Sequence, residues 1–221
     1  MLSSLLLAGV IGYLLGAIPF GYLVARAKGA NIFEVGSKNP GATNVRRMLG
    51  KGPGNLVLFL DATKGALAAG WPLARWLYAS QSHSEDSLYV LIDPTPFMVT
   101  GLVGAILGHS FSCFTRFKGG KGVATGVGGF LVIFPLGALV AVVVWGLTVA
   151  LTKYLSLASM LAGVALTVAA WLLHATPLVL GVCAAVMIFV IVRHRTNIAR
   201  LLAGTENKIG QKPAEKAAST P

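Results

Sequence analysis

Seven apolar stretches divide the chain, at roughly 2–25, 55–78, 94–112, 121–134, 136–152, 155–173 and 175–193. Most approach the ~20 residues that a helix needs to cross a hydrocarbon core ~30 Å thick. The pattern predicts an all-α integral membrane protein, because soluble helical cores rarely need runs of that length. The doubtful stretch is 121–152. Residues 121–134 taken alone would reach only ~21 Å, yet Pro135-Leu136-Gly137 offers a break between two helices.

Charge decides between the readings. Residues 26–54 carry Arg26, Lys28, Lys38, Arg46, Arg47 and Lys51, and 113–121 carry Arg116, Lys118 and Lys121. The chain after 192 carries Arg193, Arg195, Arg200, Lys208, Lys212 and Lys216, whereas 79–93 holds Glu85, Asp86 and Asp93 with no Lys or Arg. The positive-inside rule puts the three basic regions in the cytoplasm and the acidic loop outside. Only an even number of crossings between Lys121 and Arg193 allows that. Splitting at Pro135 supplies it, and the expectation is seven transmembrane helices with the N-terminus outside and the C-terminus cytoplasmic.

Composition agrees: 55% of residues are hydrophobic and 11% charged, against ~25% charged in soluble domains. One membrane domain over 1–210 is expected, with 211–221 a disordered cytoplasmic tail. The formal charge of +11 would suggest nucleic acid in a soluble protein. Here it fits cytoplasmic loop bias, and its proximity to glycine clusters adds anionic ligands; no nucleic-acid partner is expected. Cys113 and Cys183 are isolated, supporting neither a disulfide framework nor a metal site. The N-terminus lacks a basic leader and a clear cleavage site, so it reads as a retained first span. The absence of an internal repeat argues mildly against a transporter of duplicated halves.

Three polar islands fall on one membrane face. In "GSKNPGATNVRRMLG", residues 36–50, Thr43 or Asn44 is a plausible helix N-cap and Gly50 a stop. Glycines before such a helix leave amides free for an anion, and arginine can grip phosphate with two bonds. A capped interfacial helix with snorkelling arginines fits equally well. In "FKGGKGVAT", residues 117–125, three glycines can expose backbone donors beside Lys118 and Lys121, and Thr125 can add a hydroxyl. It is not a Walker A loop, but a simple cytoplasmic turn would not need so many glycines. In "RHRTNIARLLAGTENKIG", residues 193–210, His194 and Asn197 share a helical face, with Arg200 one turn on; a basic tail on lipid headgroups explains this island alone.

Asp61 and Lys64 should pair as i,i+3 neighbours, and His109 should be a satisfied helix-end histidine. His83 and His174 belong to the outer side, and Trp71, Trp76 and Tyr78 read as an interfacial belt. No G-x-S-x-G, H-E-x-x-H or H-x4-D pattern occurs, and acidic residues near the islands are too scarce for a carboxylate-bound metal. What remains is cationic, hydroxyl-bearing and glycine-rich, which suits phosphates at a membrane surface.

Together "GSKNPGATNVRRMLG", "GHSFSCFTRFKGGKGVAT" and "RHRTNIARLLAGTENK" resemble the motifs of the bacterial membrane acyl-phosphate:glycerol-3-phosphate acyltransferases, the PlsY family. The resemblance spans the chain from the first span to the tail. It implies a seven-span fold in the bacterial cytoplasmic membrane with a cytoplasmic site. It also implies transfer of a fatty acyl group from acyl phosphate, not acyl-CoA or acyl carrier protein, to the 1-hydroxyl of glycerol 3-phosphate. The product would be lysophosphatidic acid, in the first step of phospholipid synthesis, by a monomer without cofactor that acts after an acyl-phosphate-forming enzyme.

By position, the catalytic expectation falls on Ser37, Arg47, Lys121, His194 and Asn197, which would bind glycerol 3-phosphate and orient its hydroxyl. Substrate binding falls on Asn39, Gly41, Thr43, Asn44, Lys118, Gly119, Gly120, Gly122, Thr125 and Arg200, with the glycine loop, Thr43 and Asn44 on the donor head. Either the donor phosphate or His194 could be the base. Lys38 replaces a glycine usual in the family and Ser112 a proline. The rival from another class is a transporter for a small organic phosphate, which would need a midplane site open to both sides.

Overall fold

The computed structural model describes residues 1–81 and 93–210. His83, Glu85, Asp86 and the tail from 211 lie outside the described residues. Within them regular structure is helical: α1 Leu2–Ala17, α2 Phe20–Ala27, α3 Ala42–Leu49, α4 Lys51–Gln81, α5 Thr95–Ser110, α6 Val123–Ile133, α7 Pro135–Thr152, α8 Leu155–Leu172, α9 Pro177–Arg193 and α10 Arg195–Leu202, with a 3-10 turn at Cys113–Thr115.

Five stretches are long and apolar enough to cross a membrane, and α9 with α10, bent by 59°, makes a sixth if taken as one span. The eleven residues of α6 rise only ~16 Å. The break that charge required between α6 and α7 is present: α6 stops at Ile133, and Pro135 opens α7, where its missing amide costs nothing. The large side chains left uncovered are mainly apolar, including Leu6, Leu14, Leu139, Val143, Leu147 and Leu151, as hydrocarbon contact demands.

Three local expectations need correction. The first apolar run is broken after Ala17, because Pro19 cannot continue the helix; the freed Ile18 carbonyl accepts instead from Lys64 Nζ at 3.0 Å. The second run extends to Lys51–Gln81, beginning directly after Gly50 at φ 95°. Neither Thr43 nor Asn44 caps α3. Gly41 holds the N-cap position without a side-chain bond, and Asn44 is drawn inward, its Oδ1 accepting from Ser37 N at 2.9 Å and its Nδ2 donating to the Val35 carbonyl at 3.1 Å.

Helix α4 packs against α1, α3, α5 and α6, while α7, α8 and α9 follow as a second set joined to α6 through α7 and α9 and to α5 through α9. Small residues bring the axes close. Gly12 and Gly16 of α1 face the backbone of Gly101 and Ala105 of α5, and Gly128 of α6 faces the Ala62 carbonyl of α4, leaving no room for a Cβ. The larger core joins Leu102, Ile106, Phe130, Leu166 and Cys183 across this assembly, and a smaller one joins Ala25, Ile32, Val45 and Val57 around α2–α4. The arrangement carries the ends of α3, α5, α6 and α9 to one place.

Candidate active site

The glycine loop folds back onto the last turn of α5. Gly120 N donates to the His109 carbonyl at 3.0 Å, and a Cβ at Gly119 would collide with the His109 and Ser110 backbone. Arg193, at the end of α9, clamps the loop from the other side: its Nη2 donates to the Gly120 carbonyl at 2.7 Å and the Gly119 carbonyl at 3.3 Å, and its guanidinium lies 5.1 Å from the Phe111 ring centre. Asn39 Nδ2 reaches the Gly119 carbonyl at 3.5 Å, tying the first island to the second. With its carbonyls occupied, the loop leaves the amides of Gly119, Lys121, Gly122 and Val123 without a protein acceptor among the described residues. Gly122 turns into α6 at φ 80°, a conformation that glycine adopts without strain. Thr125, in the first turn of α6, is fully buried and its Oγ1 has no protein partner.

The third island joins through Lys121. Its Nζ donates to Asn197 Oδ1, and Asn197 Nδ2 donates in turn to Glu206 Oε1 at 2.7 Å. Glu206 also accepts from Ser156 Oγ at 2.9 Å and from Arg200 Nε at 2.7 Å. The bend between α9 and α10 falls at His194, which is 3% exposed. His194 Nδ1 lies 2.8 Å from the Val190 carbonyl. A carbonyl can only accept, so Nδ1 carries the proton and the neutral ring leaves Nε2 as an acceptor.

Burial pushes Lys121 down to about 8; Glu206 opposes this, and Arg200, Arg193 and Arg47 add to it. Arg47 is lowered too, by burial first, and feels both Glu206 and Arg200. Burial would raise Glu206, but hydrogen bonds from Asn197, Arg200 and Ser156 hold its carboxyl below the usual range. Three cations, Lys121, Arg47 and Arg200, thus share one carboxylate, with Arg193 beside Lys121. Their surplus positive charge, beside unpartnered amides at a helix N-terminus, is chemically an anion site.

The other expected residues divide. Asn39 Oδ1 accepts from Gly41 N at 2.8 Å, shaping the entry to α3. Ser37 and Thr43 are exposed, and Gly36 N-terminal to them leaves room for the Asn44 amide. Arg46 turns aside to Asn55 Oδ1 at 3.1 Å. Lys118 is exposed and lines a crevice with Asp61, Lys64, His109 and the loop residues Gly119 and Gly120. The two departures are accommodated: Lys38 takes the left-handed backbone at φ 55°, and buried Ser112 donates through Oγ to the Ala17 carbonyl at 2.5 Å, tying α5 to α1.

Sequence reasoning missed Glu206, Ser156 and the clamping role of Arg193. Glu206 stood in the third motif as an unremarked acid, and Arg193 was counted only as a topological charge. Ser156 had no local signal, since its partner lies 50 positions away.

The glycerol-3-phosphate acyltransferase family model matches residues 6–204. The chain belongs to this family. A glycerol-3-phosphate acyltransferase of Synechococcus sp. is 43% identical over 213 residues, covering 96% of this chain and 97% of the relative. That of Fusobacterium nucleatum is 42% identical over 200 residues, covering 90% and 95%. Among solved structures, the glycerol 3-phosphate form of PlsY (YgiH), an integral membrane glycerol 3-phosphate acyltransferase, matches with a TM-score of 0.81 at 36% identity, over 94% of this chain and 96% of that one. Its lysophosphatidic acid form matches with a TM-score of 0.77. Membership fits the assembled site: the three islands that carried the resemblance in sequence are those the fold joins by Asn39–Gly119, Lys121–Asn197 and Arg193–Gly120.

Proposed function

We propose that the protein transfers a fatty acyl group from acyl phosphate to the 1-hydroxyl of glycerol 3-phosphate, giving lysophosphatidic acid and phosphate at the cytoplasmic face of the bacterial inner membrane. The observation that carries this reading is the glycine loop whose unpartnered amides stand among Arg47, Lys121, Arg193 and Arg200. Such a site suits a phosphate group. Arg47 and Lys121 take the phosphate of glycerol 3-phosphate, with Ser37, His194 and Asn197 around its glycerol. The loop amides, with Thr43, Lys118 and the Thr125 hydroxyl, hold the acyl-phosphate head, while Asn39, Gly41 and Asn44, whose polar groups are engaged within the protein, shape the turn that carries Ser37 and Thr43. Arg200 acts on Asn197 through Glu206.

In the reaction the glycerol oxygen forms a bond to the acyl carbonyl carbon, and the bond from that carbon to phosphate oxygen breaks. The hydroxyl proton passes to the departing phosphate, whose second pKa lies near ~6 by analogy with phosphoserine. His194, presenting Nε2, accepts a hydrogen bond from the non-reacting 2-hydroxyl and so orients the glycerol, leaving the proton of the attacking 1-hydroxyl directed at the phosphate. Charge that develops on the leaving phosphate meets donors already in place, which is where binding energy lowers the barrier. No covalent enzyme intermediate is needed.

The membrane arrangement belongs to the same proposal: seven crossings, with α6 as a short span packed on α4, N-terminus outside and C-terminus cytoplasmic. The loop charges support it, since only this count leaves 26–54, 113–121 and the region after 192 on one side.

The test is product formation. The purified protein, given palmitoyl phosphate and labelled glycerol 3-phosphate, should yield labelled lysophosphatidic acid with one phosphate released per acyl group transferred, and His194→Gln should keep measurable turnover. A transporter instead predicts label accumulating in vesicles without product, and that outcome would displace the enzyme reading.

A further inference from the structure

Against the glycine loop lies a second polar cluster made by α4 and α5. Asp61 and Lys64 are 2% and 3% exposed, and Lys64 Nζ lies 2.8 Å from Asp61 Oδ1. His109 Nδ1 approaches the same oxygen at 3.5 Å. The imidazole then extends under the loop: a Cβ placed on Gly120 would strike its Nε2, Cε1 and Cδ2. Lys64 also donates to the Ile18 carbonyl at the break between α1 and α2 and sits 5.6 Å from the Phe20 ring centre. The cluster therefore joins four parts of the fold, and the one it shares with the reaction chemistry is the Gly119–Gly120 peptide.

A buried ion pair is a poor source of stability, since desolvation cancels much of its attraction. Two charges and an imidazole are kept nearly out of solvent here, although apolar residues would fill the same space. Their geometry suggests what they supply. Arg193 and Asn39 fix the carbonyl side of the Gly119–Gly120 peptide, and the His109 carbonyl takes the Gly120 amide. Those bonds, with the α5 backbone packed under Gly119, fix one end of the peptide and leave Gly120 against the imidazole. The imidazole, with Nδ1 within 3.5 Å of Asp61, is the side chain that Gly120 rests on.

We propose that Asp61, Lys64 and His109 form a positioning triad for the glycine loop: Asp61, anchored by Lys64, orients the His109 ring, and the ring sets the height at which the free loop amides meet the donor phosphate. None of the three touches a substrate. The proposal rests on the reading that the loop holds acyl phosphate, and it adds the α4–α5 support to that reading. Sub-ångström placement matters in such a site, because a misplacement of ~1 Å can cost ~10²-fold in rate.

The experiment is steady-state kinetics on the full-length protein in detergent, with the acyl-phosphate and glycerol 3-phosphate concentrations varied separately. His109→Phe keeps a ring beneath Gly120 but loses the approach of Nδ1 to Asp61, and it leaves Asp61 paired with Lys64, so no buried charge is orphaned. It should lower kcat/KM for acyl phosphate by about 10-fold or more while leaving KM for glycerol 3-phosphate unchanged. His109→Asn, which keeps a donor near the Nδ1 position but removes the ring beneath Gly120, should lose at least as much as His109→Phe. Asp61→Asn combined with Lys64→Met removes the charges together and should reproduce the His109→Phe defect. Gly120→Ala reports on the underlying reading, because it pushes the loop directly. If Gly120→Ala impairs acyl-phosphate use and the triad variants do not, the triad assignment is overturned and the loop reading stands. If Gly120→Ala leaves acyl-phosphate use intact, the loop reading fails and takes the triad with it. A defect that falls on KM for glycerol 3-phosphate instead also overturns the proposal.

Discussion

Neutralising Lys121 should stabilise the ligand-free protein and disable the enzyme. Its pKa of about 8, against an ordinary 10.5, reflects burial first, with Glu206 opposing and three arginines adding to the depression. That difference corresponds to about 3 kcal/mol in favour of the neutral amine within the fold. Below about pH 8 the folded protein carries this cost. Between about 8 and 10.5 the fold has shed a proton that the unfolded chain retains, so stability rises with pH across that window. Lys121→Met removes the charge at neutral pH. Losing the bond to Asn197, of the charged kind worth ~1.5–3 kcal/mol, offsets most of the gain. The melting temperature in detergent without substrates should therefore hold or rise slightly. Activity moves the other way. The pH dependence of kcat/KM for glycerol 3-phosphate reports groups of the free enzyme, so it should fall as pH rises through about 8. Lys121→Arg, if it turns over at all, should push that limb upward, because arginine stays charged. The assay is phosphate release from about pH 6.5 to about 9.5 with donor self-hydrolysis subtracted. A profile flat through about pH 9, or a Lys121→Met protein that melts far below the parent, would refute the reasoning.

Arg47→Lys should lose activity by about 10²–10³-fold, because a point ammonium cannot reproduce a bidentate fork, whereas Arg46→Ala, which gives up only its bond to Asn55, should remain close to the parent in the same assay. In a background lacking Cys113 and Cys183, an impermeant thiol reagent added to intact cells should label Ser80→Cys and spare Thr205→Cys; equal labelling would contradict the proposed topology. Gly128→Ala should lower the melting temperature by the equivalent of ~1–3 kcal/mol, since its methyl meets the Ala62 carbonyl of α4.

What the sequence made legible follows from the range of each signal. The break at Pro135 was visible because helix length and loop charge both demanded it. Asp61 and Lys64 were found as a pair because three residues of helix put them side by side. Cap chemistry misled at Thr43 and Asn44: local preference was right about an amide-rich entry, but Asn44 is more useful to the Val35–Ser37 turn than to the helix start. The break after Ala17 was missed because apolar residues run through it, although Pro19 marked it. The residues that join the islands were the least legible. Ser156 and Glu206 meet only because α8 and the segment after α10 converge, and nothing in the spacing of either announces that. His109 reads as a satisfied helix-end histidine, but its contact with Gly120 depends on a loop returning eleven residues later.

The account's central claim is that the loop over Gly119–Gly122 holds the donor phosphate while Arg47 and Lys121 hold the acceptor. The most direct measurement is a structure of this protein with glycerol 3-phosphate and a non-transferable acyl phosphonate bound together. The account predicts the phosphonate oxygens within hydrogen-bonding distance of the loop amides and the Thr125 hydroxyl, with the acceptor phosphate between Arg47 and Lys121 and its 1-hydroxyl directed at the acyl carbon. A phosphonate bound away from the loop, with the Gly119, Lys121 and Gly122 amides left to solvent, would contradict it.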